Sequence, residues 1–359
     1  SQRSGDTIAR AIDEVGGDLD AYTSRELTAF QAQVLPDDLG LALDLVGDLA
    51  LRPILRDDDW ALEQSVICQE IAQSIDTPDD IIFDYFQETI FPGNALGRSI
   101  LGSEETVQAL NVQDFKDFRA DYYHPANIIF ALSGPIELDT FEQALAPQLA
   151  SLSAAAPKPV AKQAPIFTPG LFLQGRAMEQ VQVLMGWPTV PQNHPDSFAY
   201  VLLSHMLGYG GASHLFMEIR ERRGLVYMIY ASVQFFSDAG HLFIHASTGG
   251  EQITELLDAL DELLQALPQR LTLAELDRAK AQYRAGTLMA RDSVSACVRA
   301  AAHQLSNRDT PMSTAEVLGQ AEAVTLEQVK ALAAKLAAKP AVCALGPRDA
   351  LPAFDRFKD

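Results

Sequence analysis

The sequence is short of positive charge, with 27 Lys and Arg against 48 Asp and Glu and a formal net charge of −21. Phosphate backbones are held by basic faces, so no nucleic-acid partner is expected, and the plain consequence of the charge is solubility through self-repulsion. Cysteine is scarce. Cys68, Cys297 and Cys343 are odd in number, far apart and without C-x-x-C spacing. This argues against a disulfide framework or a thiolate zinc site and leaves buried free thiols. Free thiols fit a reducing compartment, so a cytoplasmic location is expected, with the periplasm as the alternative. Long apolar runs are absent too: Phe198–Leu203 is far below the ~20 residues a membrane helix needs, and no membrane partner is expected. The sequence given does not open on a basic-then-apolar leader.

What is present is an ordinary globular composition, 48% hydrophobic over 359 residues, which predicts two domains. Residues 7–15 carry apolar positions at helical spacing and stop at Gly16–Gly17. Residues 18–35 alternate and predict a two-strand hairpin, followed by a helix after Pro36-Asp37-Asp38. A helix is expected from Asp57–Asp59 to about Ser74, and another after the break at residues 76–80. Leu110–Tyr123 reads as helix, Asn127–Ser133 as an apolar strand, and Leu138 to Leu152 as helix. Residues 153–168, rich in Ala, Pro and Lys, form the best linker.

The second half repeats the order. It has helix Ser197–Leu207, glycines 208, 210 and 211, helix His214–Arg223, strands Leu225–Phe236 and Ala239–Ser247, and helix 251–267. A long helix then starts at Leu273 from a Thr272–Glu275 capping box, and helix 325–337 and strand 340–345 close the chain. Aligning the long helices sets Leu62 against Leu276 and Glu63 against Asp277, and the fold class that follows is a duplicated α+β unit.

The seven histidines give no helical metal pair. Only His241 and His245 are four apart, in a strand-like run where that spacing spans about 13 Å, with no Glu between them. Ordinary sheet positions account for both. No nucleophile elbow, phosphate loop or dinucleotide fingerprint is present, so the residues alone supply no complete active site.

Several ordered blocks nevertheless resemble the pitrilysin/insulinase zinc metallopeptidase family, which includes the mitochondrial processing peptidases. They are VGGDLDAYTSRE (15–26), LEQSVICQEI (62–71), DTPDD (76–80), FPGNALGRSILGSEETV (91–107), HPANIIFALSG (124–134) and GYGGASHLFMEIRERRGLVYMIYA (208–231). The resemblance implies two similar α+β domains, each a mostly antiparallel sheet packed by helices. The first, residues 1–153, is N-terminally incomplete; a linker follows at 154–168, and the second domain is 169–359. It implies zinc held by two His of a His-x-x-Glu-His helix plus a later Glu, which falls on Glu70, with Glu63 supporting it two turns away along one helical face. It implies that Arg220 and Tyr227 hold the substrate backbone or stabilise the tetrahedral intermediate. It also implies that the strand around Asp20, Ala21, Tyr22 and Thr23 takes a peptide as an extra strand. The family commonly has Asn at Asp20 and Arg at His214; the latter reads as a tolerated surface change.

The His-x-x-Glu-His motif itself does not occur in the sequence. In the family it stands just before the segment beginning at Ser1, whose first four residues correspond to the loop after it. One carboxylate does not hold zinc, so the polypeptide as given is expected to bind no catalytic zinc and to cleave nothing. The complete protein is expected to be a zinc-dependent endopeptidase of peptides or unfolded segments. The alternative is a non-catalytic partner subunit. Pairing into a homodimer, or a heterodimer with a related subunit, is expected from the resemblance.

Overall fold

The computed structural model describes residues 3–150, 152, 156–160, 163–308 and 310–358; Ser1, Gln2 and residues 154, 155, 161 and 162 of the expected linker lie outside them. In chain order the elements are α1 (Gly5–Asp13), β1 (Asp18–Thr23), β2 (Thr28–Gln33), α2 (Leu39–Leu51), α3 (Asp57–Asp76), α4 (Pro78–Ile90), α5 (Glu104–Ala109), α6 (Val112–Tyr122) and α7 (Leu138–Leu149). There follow β3 (Leu171–Gly175), β4 (Gln180–Pro188), α8 (Ser197–Gly208), β5 (Met228–Phe235), β6 (Gly240–Gly249), α9 (Ile253–Arg270) and α10 (Leu273–Met289). Then come α11 (Val294–Asn307), α12 (Thr314–Glu322), α13 (Leu326–Ala333) and β7 (Ala341–Gly346), followed by a 3-10 helical stretch at Leu351–Phe357. They form two compact units, one of residues 3–71, 100–160 and 290–311, the other of 72–99, 163–289 and 312–358. The packing thus groups chain segments differently from a simple cut at 154–168.

The first unit holds a two-stranded antiparallel sheet in which Asp18 pairs with Gln33 and Thr23 with Thr28. This is the expected hairpin. Helix α2 buries Leu39, Ala42 and Leu45, and its Asp48, also buried, is held by Arg3 and by Arg52 at 3.0 Å. Arg52 also donates to Gln148 Oε1 at 2.5 Å. Two arginines thereby satisfy a carboxylate that would otherwise be costly to bury. On α3 the less exposed residues are Trp60, Gln64, Ile67, Cys68, Ile71 and Ser74, one stripe at helical spacing. Trp60 donates to Leu110 O at 3.0 Å and Gln64 to Val107 O at 3.0 Å, fixing that stripe against α5 and the turn after it.

The second unit is built on a five-stranded sheet of order β3-β7-β4-β6-β5, antiparallel except where β3 runs parallel to β7. One face carries Val181, Val183, Met185, Leu242, Ile244 and Ala246 into the larger core, with residues of α8, α9, α10 and α13. The other face, with Leu184, Phe243, Cys343 and Leu345, is covered by Ile82, Phe86 and Ile90 of α4. Gly208 ends α8 against β5, where an added Cβ would sit 2.1 Å from the Ala231 nitrogen.

Three expectations are corrected. Asn127–Ser133 forms no strand: Ile128 is extended, but among the described residues the segment has no ladder partner. Helix His214–Arg223 is replaced over Phe216–Arg222 by a wider π-helical turn, closed by Leu225 N–H donating to Ile219 O at 3.1 Å with Gly224 at φ +63°. Of the cysteines, all free, only Cys343 is buried; Cys68 and Cys297 are half-buried. No helix among the described residues is long and apolar enough to cross a membrane.

Candidate functional site

The π-helical turn positions the expected pair in the second unit. Leu215 and Ile219 are anchored in the core, which leaves Arg220 on the outer side. The Arg220 guanidinium lies over the Phe216 ring at 4.9 Å and faces the Tyr227 ring at 5.8 Å. Tyr227, 79% exposed, stands just before β5, with its N–H donating to Ser247 O at 3.3 Å. Two residues seven apart in sequence are therefore brought together by the turn and the strand that follows it.

Around this pair lies a charge cluster that motif reading missed. The Glu218 carboxylate meets Arg222 at 2.8 Å, Arg223 at 3.5 Å and Arg270 at 3.6 Å. Partial burial would raise the Glu218 carboxyl; Arg222, Arg270 and Arg223 outweigh it and hold it below the usual carboxylate range. Arg223 also reaches Glu262 at 2.8 Å. The only available signal was the Glu218–Arg222 spacing of four; Arg270 is too distant in sequence to be inferred.

His214 is not a surface position. Its side chain is 10% exposed and lies 3.2 Å from Glu275. Burial lowers its pKa in spite of that carboxylate, favouring the neutral ring. The expected capping box is present, Glu275 Oε2 accepting from Thr272 N–H at 2.9 Å. His241 and His245 are buried on β6 as ordinary sheet residues beside Phe86 and Phe83.

In the first unit, β1 pairs only with β2 among the described residues, so its other edge is open. Asp20 and Thr23 are exposed, as is Ala21, and Tyr22 is half-buried. Asp20 Oδ2 accepts from Gln31, its cross-strand partner, at 3.1 Å. Glu63 and Glu70 sit on α3 beside the packed stripe, both exposed, and among the described residues neither makes a hydrogen bond or ion pair. The residues present do not fit a zinc ion: no group of three His, Cys, Asp or Glu among the described residues could hold a metal. A lone exposed carboxylate is not a tetrahedral site.

Comparison with known proteins bears on the chain as a whole. A family profile described as insulinase (peptidase family M16) matches residues 1–104, and one described as the peptidase M16 inactive domain matches 109–283. An uncharacterized zinc protease of Streptomyces coelicolor is 32% identical over 355 residues, covering 96% of this chain and 77% of its own. An uncharacterized zinc protease of Bacillus subtilis is 28% identical over 337 residues, covering 94% and 82%. A protease from Helicobacter pylori superposes with a TM-score of 0.87 at 19% identity, covering 96% of this chain and 85% of that one. A peptidase M16 inactive domain from Pseudomonas fluorescens gives 0.83 at 21%, with the same coverage. The ordered blocks, the α+β fold and relatives matched along nearly the whole sequence lead to one assignment: the chain belongs to the insulinase (M16) family of zinc peptidases, and it does so without a His-x-x-Glu-His motif.

Proposed function

We propose that this chain is the peptide-holding part of a zinc-dependent endopeptidase acting on peptides or unfolded segments. The observation that carries the reading is the Arg220–Tyr227 pair: an exposed guanidinium fork and an exposed phenol, 5.8 Å from ring centre to guanidinium carbon, at the start of an edge strand. Five N–H donors and one O–H suit a peptide carbonyl or the oxyanion formed from it. The open edge of β1, residues Asp20–Thr23, suits main-chain pairing with an extended peptide. Asp20 already has its donor in Gln31 and contributes an acceptor only.

Zinc would supply a Lewis acid and an activated water. Glu70 is the residue of this chain we assign to it, with Glu63 supporting, and the histidines that complete the set are not in this sequence. No hydrolytic step is assigned to the polypeptide as given. Protein made with the residues encoded immediately upstream of Ser1 is expected to take up zinc and cleave an unstructured peptide. In it Glu70→Gln should lower metal affinity by at least tenfold, since one ligand of three is lost. Failure of that longer protein to bind zinc would refute the endopeptidase reading.

A second reading is a non-catalytic partner subunit of the same family, which the Arg220–Tyr227 pair fits equally well. It predicts co-purification with a related, zinc-bearing chain and no His-x-x-Glu-His in the upstream gene. Pairing with an identical or related chain belongs to both readings, and analytical ultracentrifugation measures it.

A further inference from the structure

The cations around the π-helical turn are not equivalent. Arg222, Arg223 and Arg270 share the Glu218 carboxylate, and Arg223 has Glu262 as well. Arg220 has no carboxylate: among the described residues it makes no ion pair and no hydrogen bond. Arg220 is exposed and, unlike its neighbours in this cluster, shares no carboxylate. What holds it is aromatic. Phe216 lies under the guanidinium at 4.9 Å and Tyr227 lies 5.8 Å away.

Rings at the faces of a guanidinium satisfy its cation through their electron density but offer no acceptor to its N–H groups. Its five N–H donors are therefore left without an acceptor among the described residues. That rigid fork matches a carboxylate, which can accept two parallel N–H bonds, better than it matches a single carbonyl oxygen. Tyr227 adds a phenolic donor at the same place, and it immediately precedes β5, the end strand of the sheet.

We propose that Phe216, Arg220 and Tyr227 form a carboxylate-binding fork, with Phe216 the positioning residue, that favours peptides presenting a carboxylate at the start of β5. The inference rests on the reading that Arg220 and Tyr227 face a bound peptide, and it adds the chemical class of peptide preferred. Either a C-terminal carboxylate or an Asp or Glu side chain supplies the chemistry.

The chain as given is suited to the test, because binding is measured without turnover. Four dye-labelled decapeptide pools with randomised uncharged interiors are titrated by fluorescence anisotropy. One has a free C-terminus, one an amidated C-terminus, one an amidated C-terminus with a single Asp, and one the same with Asn for Asp. The free acid or the Asp pool is expected to bind about fivefold more tightly than its neutral counterpart, the size of a favourable exposed ion pair. Whichever pool gains identifies the source of the carboxylate. The gain should vanish in Arg220→Gln, shrink in Phe216→Leu, return in Phe216→Tyr, and weaken in 0.5 M NaCl. Circular dichroism shows whether each variant is folded, and Phe216→Tyr keeps the test open if Phe216→Leu is not. Equal binding of all four pools, or a gain that survives in Arg220→Gln, overturns the fork while leaving peptide holding intact. No binding by any pool overturns both the fork and the peptide-holding reading.

Discussion

Leu62 on α3 and Leu276 on α10 take equivalent places in the repeated sequence pattern, yet Leu62 is 71% exposed and Leu276 1%. The two helices differ in what surrounds them. Helix α10 lies in the larger core of a five-stranded sheet, beside α8 and α12. Helix α3 is fixed along one narrow stripe, and its other side, with Leu62, Val66, Glu63 and Glu70, is bare. The first unit has two strands among the described residues and cannot cover as much. Apolar spacing therefore specifies a helix in both units, while burial depends on how much sheet stands behind it.

The contrast can be broken by mutation. Leu276→Ala should destabilise the second unit by about 2–5 kcal/mol, and Leu62→Ala should change stability by less than about 0.5 kcal/mol. The two tryptophans separate the signals, Trp60 lying in the first unit and Trp187 in the second. Urea titration of Trp60→Phe and Trp187→Phe backgrounds checks both, and an equal effect of the two alanines would end the comparison.

Acid should sharpen it. Burial pushes the His245 pKa down to about 4, and lowers those of His205 and His214, all in the second unit. A base with a depressed folded pKa binds fewer protons folded than unfolded, so its neutral form stabilises the fold. That contribution is whole above the unfolded value of about 6.5 and is lost as pH falls towards about 4. For His245 the loss is on the order of 3 kcal/mol. The Trp187 transition should show it, and His245→Leu should flatten the dependence; a transition unchanged between pH 7 and pH 4.5 would contradict the burial of that ring.

A smaller effect is expected at the exposed carboxylates. Glu63→Gln and Glu70→Gln should each leave the thermal midpoint of this chain within about a degree, since neither side chain has a partner among the described residues. A larger shift would show that α3 is covered in solution.

Most of the helices, the first hairpin and the Thr272–Glu275 cap were legible from local signals, because each is settled by residues a few positions apart. Strand β4 was not legible. It is buried on both faces, and beyond Gln180–Val183 its run Leu184–Trp187 lacks the alternation that marks a half-buried strand. The strand expected at Asn127–Ser133 failed for the complementary reason: apolar residues suit a strand, but a ladder needs a neighbour. At the site, the Arg220–Tyr227 spacing was readable through the resemblance. The sharing of Glu218 by Arg270 and the approach of Glu275 to His214 were not, since they join residues 52 and 61 positions apart.

The most direct test is zinc uptake by the purified chain at sub-micromolar free metal, buffered by a weak chelator. The expected result is no stoichiometric binding and no difference between the wild type and Glu70→Gln. One zinc per chain, lost in Glu70→Gln, would contradict the finding that the described residues form no metal site.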